Sequence, residues 1–284
     1  MLKHLTTGYL LVSHGSRDPR PQTAIAALAA DLTHTLACPV GWATLEFGRE
    51  SLALQIQQFA CAQRMDRIYI VPLFLSSGVH VCDDIPEQIA IARSGLAREV
   101  SPPDVKLMPF RRVHPTSVSI SLSHLGNAVD FASSAWERMQ RHPEVEAWIT
   151  IAHGSRRLGG NAEIEAIATR LQRQMTRPHH LAYWSIEGQL VTQIHKLLAV
   201  GHRTIGLLPH FLFPGRLTDT IQATVQTLAE QSPEATFVYL KTWGESDEWI
   251  QKLFDWLIRE TQSELATPLE SRCSSLAMSR LQPE

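Results

Sequence analysis

Short apolar runs alternate with amphipathic segments along the whole chain. The run 8–13 is bounded by a polar turn, and the segment from Pro21 to Leu36 has apolar residues at helical spacing. The same order recurs, and alternation of this kind predicts parallel sheets covered by helices on both faces. In the first half we predict strands at 8–13, 40–47, 67–75 and 105–110, and helices at 21–36, 52–63, from about 84, and at 116–141.

The second half of the chain repeats the first. His153-Gly-Ser-Arg follows His14-Gly-Ser-Arg by 139 residues, Gln193 follows Gln55 by 138, and Pro209 follows Pro72 by 137. One-residue deletions in loops would produce this slow drift. We predict strands in the second half at 145–152, 180–185, 203–208 and 235–240, and helices at 161–176, 188–200, 219–231 and 247–262.

The repeat divides the chain into two α/β modules of four strands each. We place the first module at 1–142, the second at 143–262 and a disordered tail at 263–284, where periodicity is lost. Two such modules facing one another would form a cleft between their strand ends, which is where open α/β sheets bind ligands.

Composition narrows the classes of function. The 284 residues are 44% hydrophobic and 19% charged with a formal net charge of −2, which is typical of a globular protein and argues against nucleic-acid or membrane-surface partners. The four cysteines form no CxxC pair, so neither a disulfide framework nor a cysteine-based metal site is expected. With no signal peptide or membrane-spanning run evident, we expect a cytoplasmic protein.

Three side chains could carry chemistry at one sheet edge. His14 ends the first predicted strand, Glu46 ends the second, and His80 lies in the loop after the third. Two imidazoles and one carboxylate suit Fe²⁺, Co²⁺ or Ni²⁺ and leave coordination positions open for a substrate. Each residue also has a plainer interpretation: His14 as a turn-stabilising residue, His80 as a solvated loop residue and Glu46 as a surface acid.

The acidic segment after His80 has two interpretations. Asp84 with Glu87 three residues later has the spacing of a capping box, and Pro86 fits the first turn of a helix. Alternatively, Asp83, Asp84 and Glu87 would draw cations toward His80. The capping interpretation explains the helix start without any ligand.

The motifs resemble those of the sirohydrochlorin chelatases, the class II chelatases that insert cobalt or ferrous iron into a tetrapyrrole for vitamin B12 or siroheme. The resemblance is carried by His14-Gly-Ser-Arg-Asp-Pro, Leu45-Glu-Phe and Pro72-Leu-Phe-Leu-Ser-Ser-Gly-Val-His80-Val-Cys-Asp-Asp-Ile-Pro-Glu87. It implies two tandem chelatase-like, flavodoxin-like modules around a tetrapyrrole cleft. It also implies a lyase-class metal chelatase in which His14 and His80 bind the metal and accept pyrrole protons, with Glu46 assisting.

The second half departs from this pattern. In the register of the repeat, Glu46 aligns with Trp184 and His80 with about Leu217, so the second module lacks two of the three candidate ligands. We therefore predict that it forms a wall of the cleft. A second metal site at His153 and His210 is the alternative. The residues proposed to contact the acidic substrate are Ser16, Arg17, His114, His153, Arg156 and Arg216.

Two rival functions stay open from the sequence. A strand-end His-Gly also occurs in histidine phosphatases, but those have Arg before the His, where this chain has Ser13. A non-catalytic metal carrier or tetrapyrrole-binding protein is the second rival. On the chelatase hypothesis we expect sirohydrochlorin and Fe²⁺ or Co²⁺ as substrates, no cofactor beyond that metal, and a monomer, since an internal repeat replaces a homodimer.

Overall fold

A computed structural model of the chain describes residues 6–76, 80–97, 117–120, 130–155 and 159–266. These residues form two four-stranded parallel sheets, with strand orders β2-β1-β3-β4 and β6-β5-β7-β8. The strands are β1 Thr7–Ser13, β2 Val40–Thr44, β3 Arg67–Pro72, β4 Ser117–Ile120, β5 Ala147–Ala152, β6 His179–Tyr183, β7 Thr204–Pro209 and β8 Thr236–Tyr239. The helices are α1 Pro19–Leu36, α2 Leu52–Ala62, α3 Ile85–Ala97, α4 Phe131–Gln140, α5 Ala162–Gln174, α6 Gln189–Ala199, α7 Arg216–Gln231 and α8 Asp247–Ala266.

The two sheets have the same pairing, which confirms the predicted repeat. In the first sheet β1 pairs with β2 and β3, so that Ser13 lies beside Thr44 and Val12 beside Pro72. In the second, β5 lies between β6 and β7, with Ala152 beside Tyr183. The central strands β1 and β5 are almost completely buried, which agrees with their mostly apolar sequences.

One strand of the first sheet lies in a segment that the sequence analysis predicted to be helical. The structure has a strand at Ser117–Ile120, paired with β3 from Arg67↔Ser117 to Ile70↔Ile120, where the sequence analysis predicted a helix. Ser-Val-Ser-Ile alternates polar and β-branched apolar residues, as a strand at a sheet edge does. The strand predicted at 105–110 lies outside the described residues. Helix α8 also continues to Ala266, so 263–266 are helical and not part of a disordered tail.

Alternating strand residues divide the interior into three clusters. Leu10 and Val12 of β1 point to a cluster with α2 and α3, whereas Tyr9 and Leu11 point to the opposite face. A corresponding cluster in the second half contains Ile149 and Ile151 of β5 with residues of α6 and α7. The cluster around Tyr9 and Leu11 also contains Trp148 and Leu208 of the second sheet, so the two halves share one core.

Polar contacts also join the two halves. Arg20 at the start of α1 donates to Asp219 in the first turn of α7, with Nη1 3.0 Å from Oδ1. Helix α8 is tied to α4, since Lys252 Nζ donates to Ser134 Oγ at 2.7 Å. No helix within the described ranges combines the length and apolarity that crossing a bilayer requires.

Candidate metal centre

The loops after β1 and β2 are held together by the backbone. The amide of Leu45 donates to the carbonyl of Ser13 at 2.9 Å, and the amide of Glu46 donates to the carbonyl of His14 at 2.8 Å. These bonds extend the parallel pairing two residues past the end of β2. They place His14 and Glu46 next to each other at the carboxyl edge of the sheet.

Gly15 allows this close approach. Its φ of +91° lies in the region that glycine adopts without cost, and a Cβ at this position would lie 2.0 Å from the carbonyl oxygen of Glu46. The Gly in His-Gly-Ser-Arg therefore has a structural reason that is independent of any ligand. Gly154 in the second copy has φ +83°, and a Cβ there would lie 2.6 Å from Ser185 Oγ.

The structure brings together the three residues that the sequence analysis singled out. One ligand atom from each of His14, Glu46 and His80 lies within 4.8 Å of the other two. His14 Nε2 is 3.8 Å from Glu46 Oε2, and the His14 and His80 rings are 4.7 Å apart at 79°. The side chains of His14 and Glu46 are 45% and 48% exposed, so the group is open on one side.

Both imidazoles are oriented through Nδ1. His80 Nδ1 lies 2.7 Å from a carboxylate oxygen of Asp84, and His14 Nδ1 lies 3.3 Å from the carbonyl oxygen of Gly15. Both partners are acceptors, so in the neutral imidazoles a proton on Nδ1 satisfies these contacts and leaves the Nε2 lone pair for a ligand. A carboxylate or carbonyl behind a ligating imidazole is the usual arrangement of metal sites.

Asp84 is a site residue that sequence reasoning assigned to another role. His80 to Asp84 form a π-helical turn that leads directly into α3. Single π-helical turns are rare and are concentrated at functional sites. The signal in the sequence was the spacing of four residues between His80 and Asp84, which places the two side chains on one face.

The predicted substrate contacts around His14 have defined places. Arg17 lies with Cζ 5.6 Å from the centre of the Phe47 ring, and the Phe47 ring lies 6.1 Å from the His14 ring. Ser16 Oγ accepts a hydrogen bond from the amide of Asp18 at 3.0 Å and so helps to form the turn before α1. Arg17 is exposed beside the site, whereas the hydroxyl of Ser16 has this local role.

Asp18 links the His14 turn to the second half. Its carboxylate caps α1 through the amide of Arg20 at 3.0 Å. The hydrogen bond from the Arg20 side chain, with help from the backbone amides of Arg20 and Arg216, lowers the pKa of Asp18 to about 2. Arg20 also lowers the pKa of Asp219 by hydrogen bonding. Arg216 thus begins α7 close to the His14 turn, and its side chain is exposed.

The second half lacks the counterpart of Glu46. The amides of Trp184 and Ser185 donate to the carbonyls of Ala152 and His153, as those of Leu45 and Glu46 do in the first half. Ser185, not Trp184, therefore occupies the position of Glu46. The alignment of Glu46 with Trp184 that was expected from the sequence was therefore wrong by one residue. The one-residue deletion in the second half lies after the turn that ends the strand and not before it.

A metal site at His153 and His210 is not supported. His210 is buried, and its Nδ1 accepts a hydrogen bond from Trp243 Nε1 at 3.2 Å. Burial lowers the pKa of His210 to about 4, so it is a neutral core histidine packed against Phe131. His153 is exposed at the end of β5. His114 and Arg156 lie outside the described residues, so their assignment stays a prediction.

The fold and the site define a class: a duplicated α/β protein with one His-His-Glu cluster, suited to a divalent metal ion, at a sheet edge. Comparison with known families identifies the family within that class. The family model described as CbiX matches residues 8–142 and again 147–261, so the chain belongs to the CbiX family. A curated relative, the sirohydrochlorin cobaltochelatase of Methanothermobacter thermautotrophicus, is 33% identical over 84 residues. That match covers 30% of this chain and 58% of the relative's length.

Solved structures share the two-module fold. SirB from Bacillus subtilis with Fe³⁺ superimposes with a TM-score of 0.68 at 21% identity, over 90% of this chain and 96% of that chain. SirB from Bacillus subtilis subspecies spizizenii in complex with cobalt gives a TM-score of 0.67, also at 21% identity, over 90% and 95% of the two chains. At this level of identity the comparison shows the fold, which confirms the two tandem modules.

Proposed function

We propose that this chain is a sirohydrochlorin chelatase that inserts Fe²⁺ or Co²⁺ into the macrocycle. The observation that carries the proposal is the open cluster of His14, Glu46 and His80, whose ligand atoms lie within 4.8 Å of one another. Membership of the CbiX family supports it, as does the curated relative that is named as a sirohydrochlorin cobaltochelatase.

The chemistry of insertion matches the cluster. A divalent ion that enters the macrocycle replaces two pyrrole N–H protons, so two protons must leave for each ion inserted. Two neutral imidazoles and a carboxylate can hold the ion and then, as it leaves them, accept those protons and pass them to water. An incomplete ligand set of nitrogen and oxygen holds the ion less tightly than a closed tetrahedral cage, which favours transfer.

The second module has a different part in this proposal. It keeps the His-Gly turn but has Ser185 in the place of Glu46 and a buried His210, so insertion takes place at the first module. The second module contributes a wall, with His153 and Arg216 as contacts for substrate carboxylates. Arg17 has the same function from the first module, and Ser16, His114 and Arg156 complete the predicted set. The predicted boundary at 142 stays a prediction. We place the protein in the cytoplasm, as a monomer.

Anaerobic insertion kinetics test the proposal. Purified protein is mixed with sirohydrochlorin and with Fe²⁺, Co²⁺ or Ni²⁺ in parallel, and the change in the absorption spectrum is followed. We expect acceleration over the protein-free reaction with Fe²⁺, Co²⁺ or both, and the preferred ion would identify the physiological metal. Binding of metal and tetrapyrrole without acceleration would instead indicate a carrier.

A further inference from the structure

Phe47 has an unusual backbone for an aromatic residue. It directly follows Glu46, and its φ is +57°, in the left-handed region that side chains other than those of glycine, asparagine and aspartate seldom adopt. Backbone strain of this kind persists only where the surrounding structure enforces it, and it is concentrated at ligand-binding positions. The backbone conformation therefore indicates a functional role for the Phe47 side chain.

Phe47 is largely exposed to solvent, unlike an aromatic residue of the core. The residue is 51% exposed, yet the ring lies 6.1 Å from the imidazole of His14. Arg17 covers part of it, with Cζ 5.6 Å from the ring centre. Phe47 also lines a groove of about 740 Å³, together with Trp42 of the edge strand β2 and with Arg49. A planar ligand wider than the metal cluster thus has open space along this side.

We propose that Phe47 is a substrate-contacting specificity residue, on whose ring a planar tetrapyrrole rests while its centre faces the metal at His14, Glu46 and His80. The inference rests on the proposed function and names the residue that selects a flat aromatic substrate. The Phe47 and His14 ring centres are 6.1 Å apart, so a macrocycle whose centre faces His14 also reaches the Phe47 ring, and an aromatic contact with ring centres about 4.5–7 Å apart is favourable. Arg17 then lies at the rim of the macrocycle, where carboxylates project.

The second module supplies a matched control. The backbone hydrogen bonds that place Ser185 in the position of Glu46 place Ile186 in the position of Phe47. Ile186 is 52% exposed, close to the exposure of Phe47, but the cluster of ligand atoms is in the first module. The Ile186→Ala variant therefore tests whether an exposed apolar residue at the equivalent position of the second module affects the KM for sirohydrochlorin.

The experiment compares Phe47→Leu, Phe47→Tyr and Ile186→Ala in the full chain. We expect Phe47→Leu to raise the KM for sirohydrochlorin about fivefold with kcat changed less than about twofold, because the aromatic contact is lost while the cluster stays intact. We expect the wild-type KM in Phe47→Tyr, because tyrosine keeps the aromatic ring, and also in Ile186→Ala. Titration with Co²⁺ alone gives the same affinity in all variants, which shows that the metal cluster is folded.

The outcomes separate this inference from the proposed function. An unchanged KM in Phe47→Leu, in a wild-type protein that inserts metal, overturns the inference and leaves the proposed function standing. If the wild type inserts no metal, tetrapyrrole binding is measured by fluorescence quenching: weaker binding to Phe47→Leu supports the inference although the proposed activity fails. Equal binding to both proteins, or no binding, overturns it.

Discussion

His80 Nδ1 lies 2.7 Å from Oδ2 of Asp84, four residues later in a single π-helical turn. This contact favours the tautomer in which Nδ1 carries the proton, because the carboxylate accepts that proton, and this tautomer leaves the Nε2 lone pair for a metal. The arrangement also fixes the orientation of the ring before any ion arrives. Asp84 is therefore a positioning residue for His80.

Replacing Asp84 should weaken metal binding without removing a ligand. We expect Asp84→Ala to lower the affinity for Co²⁺ by about 10-fold to 100-fold, the usual effect of losing such a partner, as measured by calorimetric titration. Asp83→Ala is the control, since it removes the adjacent acid and leaves the contact with His80 in place. Equal losses in the two variants would instead favour general attraction of cations by the acidic segment.

The two histidine turns should differ in importance although their sequences match. His14→Ala and His80→Ala each remove a ligand and a proton acceptor, and we expect both to abolish insertion. His153→Ala should reduce the rate less, because Ser185 stands where a carboxylate would be needed beside His153. Initial rates at saturating metal and tetrapyrrole measure the difference. Equal loss in all three variants would contradict a single site in the first module.

Much of the fold followed from the sequence because its signals are local. The buried central strands β1 and β5 are mostly apolar, and the repeat fixed the order of elements in both halves. Leu52 and Ile56 of α2 are buried, as are Leu190 and Ile194 of α6, at the predicted spacing of 138 residues. The convergence of His14, Glu46 and His80 followed from the parallel topology, since strand ends of one sheet meet at one edge.

The missed features depend on contacts between distant residues or on backbone geometry. The strand Ser117–Ile120 has only four residues, and its identity is set by pairing with β3. The shared core of the two halves arises because Tyr9 and Trp148, on different sheets, belong to one cluster, which periodicity within each half does not show. The left-handed backbone of Phe47 had no sequence signal, because phenylalanine seldom adopts it.

The Arg20–Asp219 ion pair should matter more to substrate binding than to stability. The two side chains are 46% and 52% exposed, so we expect only a small coupling free energy in a double-mutant cycle with Arg20→Gln and Asp219→Asn. Arg20 also holds Asp18 at the end of the His14 turn, so Arg20→Gln should in addition raise the KM for sirohydrochlorin.

The Arg170–Asp130 pair provides the control for that experiment. Its side chains are 48% and 52% exposed, but it joins α4 to α5 and does not contact the His14 turn. Arg170→Gln should therefore lower the free energy of unfolding by a similar amount and leave the KM unchanged. A KM that rises equally in both variants would show that the effect is one of general stability.

The buried His210 should make the fold sensitive to mild acid. Its pKa is lowered to about 4 by burial, whereas an unfolded chain takes up the proton at about 6.5. Between these two pH values the histidine is protonated in the unfolded state and neutral in the folded state. The free energy of unfolding therefore falls as the pH falls from about 6.5 to 4. His179, whose pKa burial also lowers to about 4, acts in the same direction. Each group contributes a slope of up to about 1.4 kcal/mol per pH unit.

Urea unfolding at several pH values between 4.5 and 7.5 measures this slope. His210→Gln retains an acceptor for Trp243 Nε1 but cannot titrate, so we expect a shallower dependence, with the part due to His179 remaining. The same slope in His210→Gln and in the wild type would mean that the imidazole of His210 is accessible to protons in the folded state.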